Sequence, residues 1–529
     1  MTPGRPDAQR AKLVRVTEVG TTTEAGALRF GSARGTWVLV GTVLGSGIAS
    51  LDATVVNLAL PRLGSDLHTD FAGLQWVVTG YTLSLASLIL VGGALGDRFG
   101  RRRVFVVGVA WFAIASLLCG VAPNVGMLVA ARVLQGVGGA LLTPGSLAIL
   151  QASFHPDDRA RAIGAWSGLG GVTTAIGPFV GGWLIDVASW RWIFFINLPL
   201  AAVVVWVAIV HVPESHAVGT GGTGRHGLDV PGALLGALGL AGITDGLIER
   251  SWWVGVAGAV LLVVFVVVEL RSAMPMLPLS IFRARQFTAA NLVTLVVYAG
   301  LGAVFFLIGL VLQVALGYSP VEAGVATIPI TVLMLALSAR AGALAQKIGP
   351  RWPMTIGPLV MAAGLLLMTR IEPGVTYATG VLPGVLLFGL GLATTVAPLT
   401  ATVLAAADVE HAGIASGVNN AVARVGGLLA VSAIPIIAGF HPGGDVPAAD
   451  LVDGFHVVLV AAAGAITAGG VLAWAQIRST VLAVATAEEG APPAPERTPC
   501  FHCGADAPPA TVYVDASGAG RRQDQPASP

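Results

Sequence analysis

The chain is a succession of apolar blocks of roughly 20 residues, each long enough as a helix to cross a hydrocarbon core about 30 Å thick. Read against the charged breaks between them, the blocks place helices at 36–60, 73–96, 104–121, 125–149, 162–184, 193–212, 230–248, 252–270, 287–316, 321–344, 352–369, 378–406, 412–439 and 455–477. That makes fourteen spans. Only 11% of the 529 residues are charged and 55% are hydrophobic, against about 25% charged in a soluble domain. The fold class that follows is an all-α polytopic membrane protein, with the lipid bilayer as its first partner.

Charge asymmetry tests the count, because short cytoplasmic loops collect Lys and Arg. With the N-terminus inside, the cytoplasmic segments hold Arg29 and Arg34, then Arg98 with Arg101–Arg103, then Arg159 and Arg161, then Arg225. They continue with Arg271, Arg283 and Arg285, then Arg340, Lys347 and Arg351, then Arg478. The external loops hold only Arg62, Arg191, Arg250 and Arg370. The alternation puts both termini in the cytoplasm and the protein in the cell's inner (plasma) membrane as a multi-pass chain. The first apolar segment follows about 35 polar residues and is itself long enough to span, so no cleavable signal peptide is expected.

Residues 1–35 and 479–529 are rich in Pro, Gly, Ala, Thr and charge and read as disordered tails. The C-terminal tail contains "CFHC". A structural zinc needs four ligands, usually in two separated pairs. Cys500, His502 and Cys503 make one pair and a neighbour, so the segment reads as plain tail and no metal is expected. Cys119 lies in an apolar helix, which leaves no disulfide framework. A net charge of +1 and the lack of a basic block point to no nucleic acid.

Two stretches repeat. "GALGDRFGRRR" (Gly93–Arg103) follows helix 2, and "GALAQKIGPR" (Gly342–Arg351) follows helix 10. "GGALLTPGS" in helix 4 and "GLATTVAPL" in helix 12 place Pro144 and Pro398 at matching depth. Repeated halves are a common plan for transporters, with the substrate site near the midplane between them. Helices 1–6 then match helices 9–14, and helices 7 and 8 form an inserted hairpin. The domains are 36–213, an inserted 214–286 and 287–478, flanked by the two tails.

Within this frame, polar residues stand out. In the first repeat loop Gly93 and Gly96 allow close helix contact, and Gly100 permits a tight turn. Asp97 can pair with Arg101 or accept from a neighbouring helix N-terminus; with Arg98 it completes a Gly-Asp-Arg-x-Gly spacing that suits a gate. In "ARVLQGVGGALLTPGS", Arg132 lies roughly 10 Å inside the outer end of helix 4. A cation there faces a bundle interior or water cavity, or else snorkels to the interface. Gln135 shares its face. Helix 5 carries "GLGGVTTAIGPFVGGWL", in which Gly168 is followed after eight residues by Gly177-Pro178-x-x-Gly181-Gly182. Small residues let helices pack closely while Pro178 bends the helix, as a hinge would require. Helix 1 places Thr42, Gly45, Ala49 and Asp52 on one stripe, which suits a face toward a cavity. Further candidate cavity residues are Asn291 in helix 9 and Asn419, Asn420 and Arg424 in helix 13; for the last three, packing and transport roles are both open. Asp245 and Glu249 read as interfacial, and Asp186 and Arg191 as part of the external turn between helices 5 and 6.

"GALGDRFGRRR", the arginine of "RVLQG" and G-x8-GPxxGG resemble the motifs of the major facilitator superfamily. "LDATVVNLALP" (Leu51–Pro61), "WRWIFFINLP" (Trp190–Pro199), "YSPVEAG" (Tyr318–Gly324) and "ASGVNNAVARVGG" (Ala415–Gly427) resemble its fourteen-helix drug:proton antiporter family. The resemblance implies two six-helix bundles, with helices 1, 4, 9 and 12 lining a cavity that opens alternately to each side. It implies proton-driven export of small amphipathic drugs or specialised metabolites. Asp52 lies roughly 12 Å deep from Leu60, at about the depth of Arg132; burial disfavours its charge while the arginine favours it, so the two read as a proton-coupling pair or else as a structural pair that holds helices together. A narrow exporter of one endogenous product is the alternative within transport. Two departures matter: Gln346 stands where the first loop has Asp97, and helix 10 carries no acid in "AGVATIPITVLMLALSA", which argues against dicationic substrates.

Other classes fit less well. The spans contain no paired carboxylates, no nucleophile with a base and no metal-ligand set, so an enzyme is not expected. No G-x4-GK[S/T] loop is present, which excludes ATP drive by this chain. No cofactor is implied. A topology reporter fused after Arg478 is expected to read as cytoplasmic; an external reading would mean that the count of spans is wrong by an odd number.

Overall fold

The computed structural model describes residues 28–216, 229–272, 275–407, 412–440 and 446–482. The segments 1–27 and 483–529, which hold most of the expected tails and the Cys500–Cys503 motif, lie outside the described residues, as does Arg225. Among the described residues fourteen helices are long and apolar enough to cross a membrane. They are α1 (Ala33–Leu67), α2 (Phe71–Phe99), α3 (Arg101–Gly120), α4 (Val125–Ser153), α5 (Pro156–Val187), α6 (Trp192–His211) and α7 (Val230–Ile248). They continue with α8 (Trp252–Arg271), α9 (Arg285–Val314), α10 (Pro320–Ile348), α11 (Arg351–Met368), α12 (Tyr377–Ala405), α13 (Gly413–Ala438) and α14 (Ala448–Gln476).

Two helices start well before their apolar blocks, for local reasons. α5 begins at Pro156, a residue preorganised for the first helical turn, with Asp157 and Asp158 at the positive end of the helix dipole. α14 likewise opens with Asp450 in its first turn. The "YSPVEAG" stretch is a capping box: Glu322 N–H donates to Ser319 Oγ at 3.2 Å, and Ser319 N–H donates to the Glu322 carboxylate at 2.8 Å. Residues 28–32 lie along the α4–α5 turn. Leu28 N–H donates to the Ser153 carbonyl at 2.8 Å, and Phe30 N–H donates to Asp158 at 3.0 Å.

The internal repeat is visible in the packing. α4 packs on α2 and α3, and α1 on α5 and α6. In the second half α12 packs on α10 and α11, and α9 on α13 and α14. Both repeat loops turn on a glycine with positive φ, Gly100 at +106° and Gly349 at +84°, backbone that a side chain would strain. Pro144 and Pro398 sit inside α4 and α12. The halves meet where α2 touches α13, α5 touches α10 and α1 touches α9. α7 and α8 pack on each other, and α7 also lies against α2 and α13, covering that seam. α8 presents Trp252, Trp253, Val263 and Leu270 outward, as a helix facing lipid does.

Call the end that carries Arg98, Arg101–Arg103, Arg159, Lys347 and Arg351 the basic end. At the opposite end the halves are held together. Gln75 on α2 donates its side-chain N–H to the Val431 carbonyl on α13. Gln313 on α9 donates to the Leu58 carbonyl on α1 at 3.0 Å, and Val321 N–H on α10 donates to Asp186 on α5 at 3.2 Å. Arg250, in the turn of the hairpin, donates to the Pro435 carbonyl at 2.7 Å, an acceptor inside the proline-bearing stretch of α13. Asp186 is therefore more than part of a turn: it caps a helix of the other half.

Glycines set how closely this seam closes. A methyl group at Gly182 would stand 2.7 Å from the Pro320 carbonyl oxygen, and one at Gly324 would stand 2.5 Å from the Pro178 carbonyl oxygen. Gly182→Leu is accordingly expected to hold the non-basic end open. A cysteine at Ser167 in the central cavity, in a chain whose three native cysteines are replaced, should then react with an impermeant maleimide added on that side. It should be protected when Gly182 is kept. Equal labelling with and without the leucine would show that the α5–α10 contact does not close this end.

Candidate functional site

A buried polar cluster inside the spans is centred on Asp52 and Arg132. Both are 1% exposed, and Gln135 and Asn197 are wholly buried. Charges without water require every donor and acceptor to be met. Arg132, on α4, donates through Nη1 to Asp52 Oδ2 on α1 and, at 2.7 Å, to Gln135 Oε1 one turn along. Its Nε donates to the Val77 carbonyl of α2 at 3.0 Å. The guanidinium plane lies 4.4 Å from the ring centre of Tyr81, a cation–π contact in a dry site.

The carboxylate is held on its other oxygen. Gln135 Nε2 donates to Asp52 Oδ1 at 2.8 Å, and Asn197 Nδ2, from α6, donates to the same oxygen at 3.4 Å. Ser116, on α3, closes the ring. It accepts from Asn197 at 3.0 Å and from Gln135 at 3.3 Å, and donates to the Phe194 carbonyl at 2.9 Å. Cys119 adds a thiol donor to Gln135 Oε1 at 3.5 Å. Five of the first six helices thus feed one network. The snorkelling alternative for Arg132 does not fit this burial.

Beside the network lies a cavity of about 250 Å³, lined from α1, α4, α5 and α13. Its polar lining includes Ser46, Ser50, Thr143, Asn420 and Arg424, with Trp166 as its aromatic wall. Counted along the helices, it sits roughly 15–20 Å inside the basic end at ~1.5 Å per residue, near the midplane. The face that α1 turns to it is Ser46, Ala49 and Ser50. The expected stripe divides: Gly45 packs against Phe105 and Val204, and Asp52 points into the first bundle. Of the other candidates, Asn420 and Arg424 line the cavity. Thr42 donates to its own helix at the Val38 carbonyl, 2.9 Å away, and Asn291 does the same at the Phe287 carbonyl, also at 2.9 Å. Asn419 accepts from Thr294 at 2.8 Å.

At the basic end, Asp97 pairs with Arg101 at 2.8 Å, and Arg101 also donates to the Ala148 carbonyl of α4 at 3.4 Å. Arg98 stacks over Phe99 at 5.1 Å. Gly93 faces Pro144 of α4. The loop is clamped by Glu214, just after α6. Its carboxylate takes the Arg102 N–H at 3.0 Å and pairs with Arg102 and Arg103 at 3.5 and 3.6 Å. Glu214 occupies the space a side chain at Gly100 would need. These links join elements of the first half to one another and to the start of the segment that leads into the hairpin.

The helix 5 motif is split by role. A methyl at Gly177 would meet Thr54 Oγ1 at 2.8 Å, Gly181 is filled against Val55 of α1, and Gly182 faces α10. Gly168 has open space beside it. Pro178 lies inside α5 with its carbonyl against Gly324.

Sequence reasoning missed Ser116, Asn197, Glu214 and the two glutamines of the seam. Asn197 had a signal, since it stands within "WRWIFFINLP". Ser116 had only its polarity in an apolar run. Among the described residues no group of three or more His, Cys, Asp or Glu is placed to hold a metal.

Residues 42–431 match the Major Facilitator Superfamily profile. The puromycin resistance protein pur8 of Streptomyces alboniger is 36% identical over 464 residues, covering 84% of this chain and 91% of that protein. The tetracenomycin C resistance and export protein of Streptomyces glaucescens is 34% identical, covering 75% of each. The multidrug resistance protein Stp of Mycobacterium tuberculosis (strain ATCC 25618 / H37Rv) is 33% identical, covering 73% of each. Among solved structures, a D-xylose-proton symporter superposes with a TM-score of 0.59 at 16% identity, covering 84% of this chain and 98% of its own.

Ser116 serves two donors and one acceptor at once, so Ser116→Ala is expected to lower stability in detergent by about 1–3 kcal/mol. Ser87→Ala is the control, because its buried hydroxyl has no partner. Thermal unfolding that ranks the two variants equally would show that the ring around Asp52 is not a stabilising unit.

Proposed function

The chain belongs to the major facilitator superfamily, and on that premise we propose that it exports small amphipathic drugs or specialised metabolites in exchange for protons, by alternating access. The basic end is the cytoplasmic one, with both termini there, and the moving bodies are 36–213 and 287–478, joined by the hairpin segment 214–286. The relatives named for antibiotic resistance and export support the cargo class. The observation that carries the exchange is a carboxylate and a guanidinium, both 1% exposed, paired where α1 meets α4.

The chemistry follows from who keeps partners when the proton binds. With Asp52 ionised, both of its oxygens are met, by Arg132, Gln135 and Asn197. This suits the state seen here, closed at the non-basic end. When the halves rock, a small shift of α1 against α4 lengthens these contacts. Burial then disfavours the charged carboxylate and Asp52 takes a proton from outside. Arg132 is not stranded by this, because the Val77 carbonyl, Gln135 Oε1 and the Tyr81 ring remain. Return to the present state restores the donors and expels the proton inward. The Asp97–Arg101 pair and the Glu214 clamp act as a latch on the α2–α3 loop at the cytoplasmic end, and Gly177, Pro178, Gly181 and Gly182 give α5 its hinge.

Structural pairing is the competing role for Asp52, and substitution separates the two. Asn is nearly isosteric and its amide oxygen still accepts from Arg132. Asp52→Asn is therefore expected to express, fold and reach the membrane, yet to lose export driven by ΔpH in everted vesicles by tenfold or more. Arg132→Met, which leaves a buried carboxylate unpaired, should instead lose about 3–5 kcal/mol of stability. Full gradient-driven export by a well-expressed Asp52→Asn protein would falsify proton coupling at this residue.

A further inference from the structure

The central cavity contains a cation with no counter-charge. Arg424 projects from α13 into a space whose other walls come from the first half. Among the described residues it makes no ion pair with a carboxylate and has no hydrogen-bond partner. This is unusual at such depth, where an arginine is expected to be paired. Asp52 does not supply the charge. It is committed to Arg132 on the far side of α1 and does not line the cavity.

The rest of the lining fits the same kind of ligand. Ser46 Oγ and Thr143 Oγ1 are buried, without partners, and border the cavity. Ser50 and Asn420 add a third hydroxyl and an amide. Trp166 provides a flat apolar wall, its indole N–H turned away to the Thr42 carbonyl at 3.3 Å. A guanidinium offers a planar fork to a carboxylate or an ionised oxygen, and hydroxyls can donate to the same group. No carboxylate lines the cavity to receive an amine.

We propose that the compounds bound here are organic anions, carboxylates or ionised phenols and enols carrying an apolar ring system, and that Arg424 selects them by charge. This rests on the export reading for its physiological sense, but the binding site is testable apart from transport. The ionised oxygen would meet Arg424, the ring would lie on Trp166, and Ser46 and Thr143 would donate to the remaining acceptors.

The test uses the full chain, purified, with three fluorescent probes: fluorescein as anion, 7-methoxycoumarin as neutral ring and rhodamine 6G as cation. Binding is read by anisotropy in a zwitterionic detergent–phosphatidylcholine mixture, so that no lipid anion competes. Wild type is expected to bind fluorescein at least tenfold more tightly than the other two. Arg424→Gln should abolish that preference while leaving 7-methoxycoumarin within twofold, Arg424→Lys should keep most of it, and Arg424→Glu should turn it toward rhodamine 6G. Equal binding of the three probes by wild type, a preference for the cation, or no binding at all overturns the proposal. So does an Arg424→Gln protein that loses all three alike. Transport of the same probes in phosphatidylcholine proteoliposomes under ΔpH separates the two ideas. Charge-selective binding of fluorescein without movement defeats the export reading and leaves the anion site standing. Movement of rhodamine 6G with fluorescein ignored defeats the anion site alone.

Discussion

A guanidinium inside a helical bundle has to find all of its partners within reach of one side chain, and everything around Arg132 is arranged by that demand. Its Nε needs a carbonyl, and α2 brings Val77. Its Nη1 needs an acceptor from a second helix and one from its own, and these are Asp52 and Gln135. Its face needs a π surface in place of water, and Tyr81 covers it. Each requirement fixes one helix against α4. Close approach is then needed to reach these positions, and it is supplied by small residues: Gly136 lies against the Tyr81 carbonyl and Gly138 against the Phe112 backbone. The ion pair is weak evidence for stability by itself, since desolvation offsets much of the attraction. What it does is specify a single arrangement of α1, α2 and α4.

The second half lacks this device. Aligning Pro398 on Pro144 puts Leu386 where Arg132 stands and Gly389 where Gln135 stands. Leu386 is 40% exposed, and Gly389 packs against Ile330 of α10. Polar groups buried in α12 turn back on their own helix, as Thr395 and Thr402 do at the Gly391 and Pro398 carbonyls, both at 2.7 Å. The two halves share a backbone plan and divide the chemistry. The first carries the buried acid; the second carries Arg424 at the cavity wall.

The fold was legible because its signals are long and redundant. Fourteen apolar blocks, an alternating arginine count and two repeated stretches each constrain the same architecture, and several helices run past their apolar blocks, as α1 does to Leu67 and α5 does back to Pro156. The site was legible in part. Asp52 and Arg132 announce themselves as charges in apolar sequence, and the structure brings them together. Their orienting partners do not: Ser116 looks like any small residue tolerated in a helix, and nothing local says that Asn197 reaches α1. The helix 1 stripe shows a subtler limit. The small and polar residues at 42, 45, 49 and 52 share a face, but small residues mark close packing as well as cavities. A periodicity cannot say which, and the cavity face is offset to Ser46, Ala49 and Ser50. Gln75 and Gln313 bond to carbonyls of distant helices, contacts that no spacing along one helix encodes.

The two proposals, taken together, restrict how coupling can work. An anion at Arg424 neutralises a positive charge on the cavity wall, across α1 from Asp52. Through the field alone, a bound anion therefore favours a protonated Asp52, which would tie substrate and proton to the same direction of movement. Exchange in opposite directions cannot be carried by that field. It has to be carried by conformation, and α1 is the element placed to carry it. One face of α1 lines the cavity through Ser46 and Ser50, and another meets the network through Asp52. On these proposals, a rotation or tilt of α1 that opens the cavity to the outside would also withdraw Asp52 from Gln135 and Asn197. The membrane potential works in the same sense as the exchange: a single negative charge leaving a negative interior gains ~2.3 kcal/mol per 100 mV. An exporter of anions thus needs the proton mainly to reset α1, and the acid can sit behind the helix instead of in the cavity.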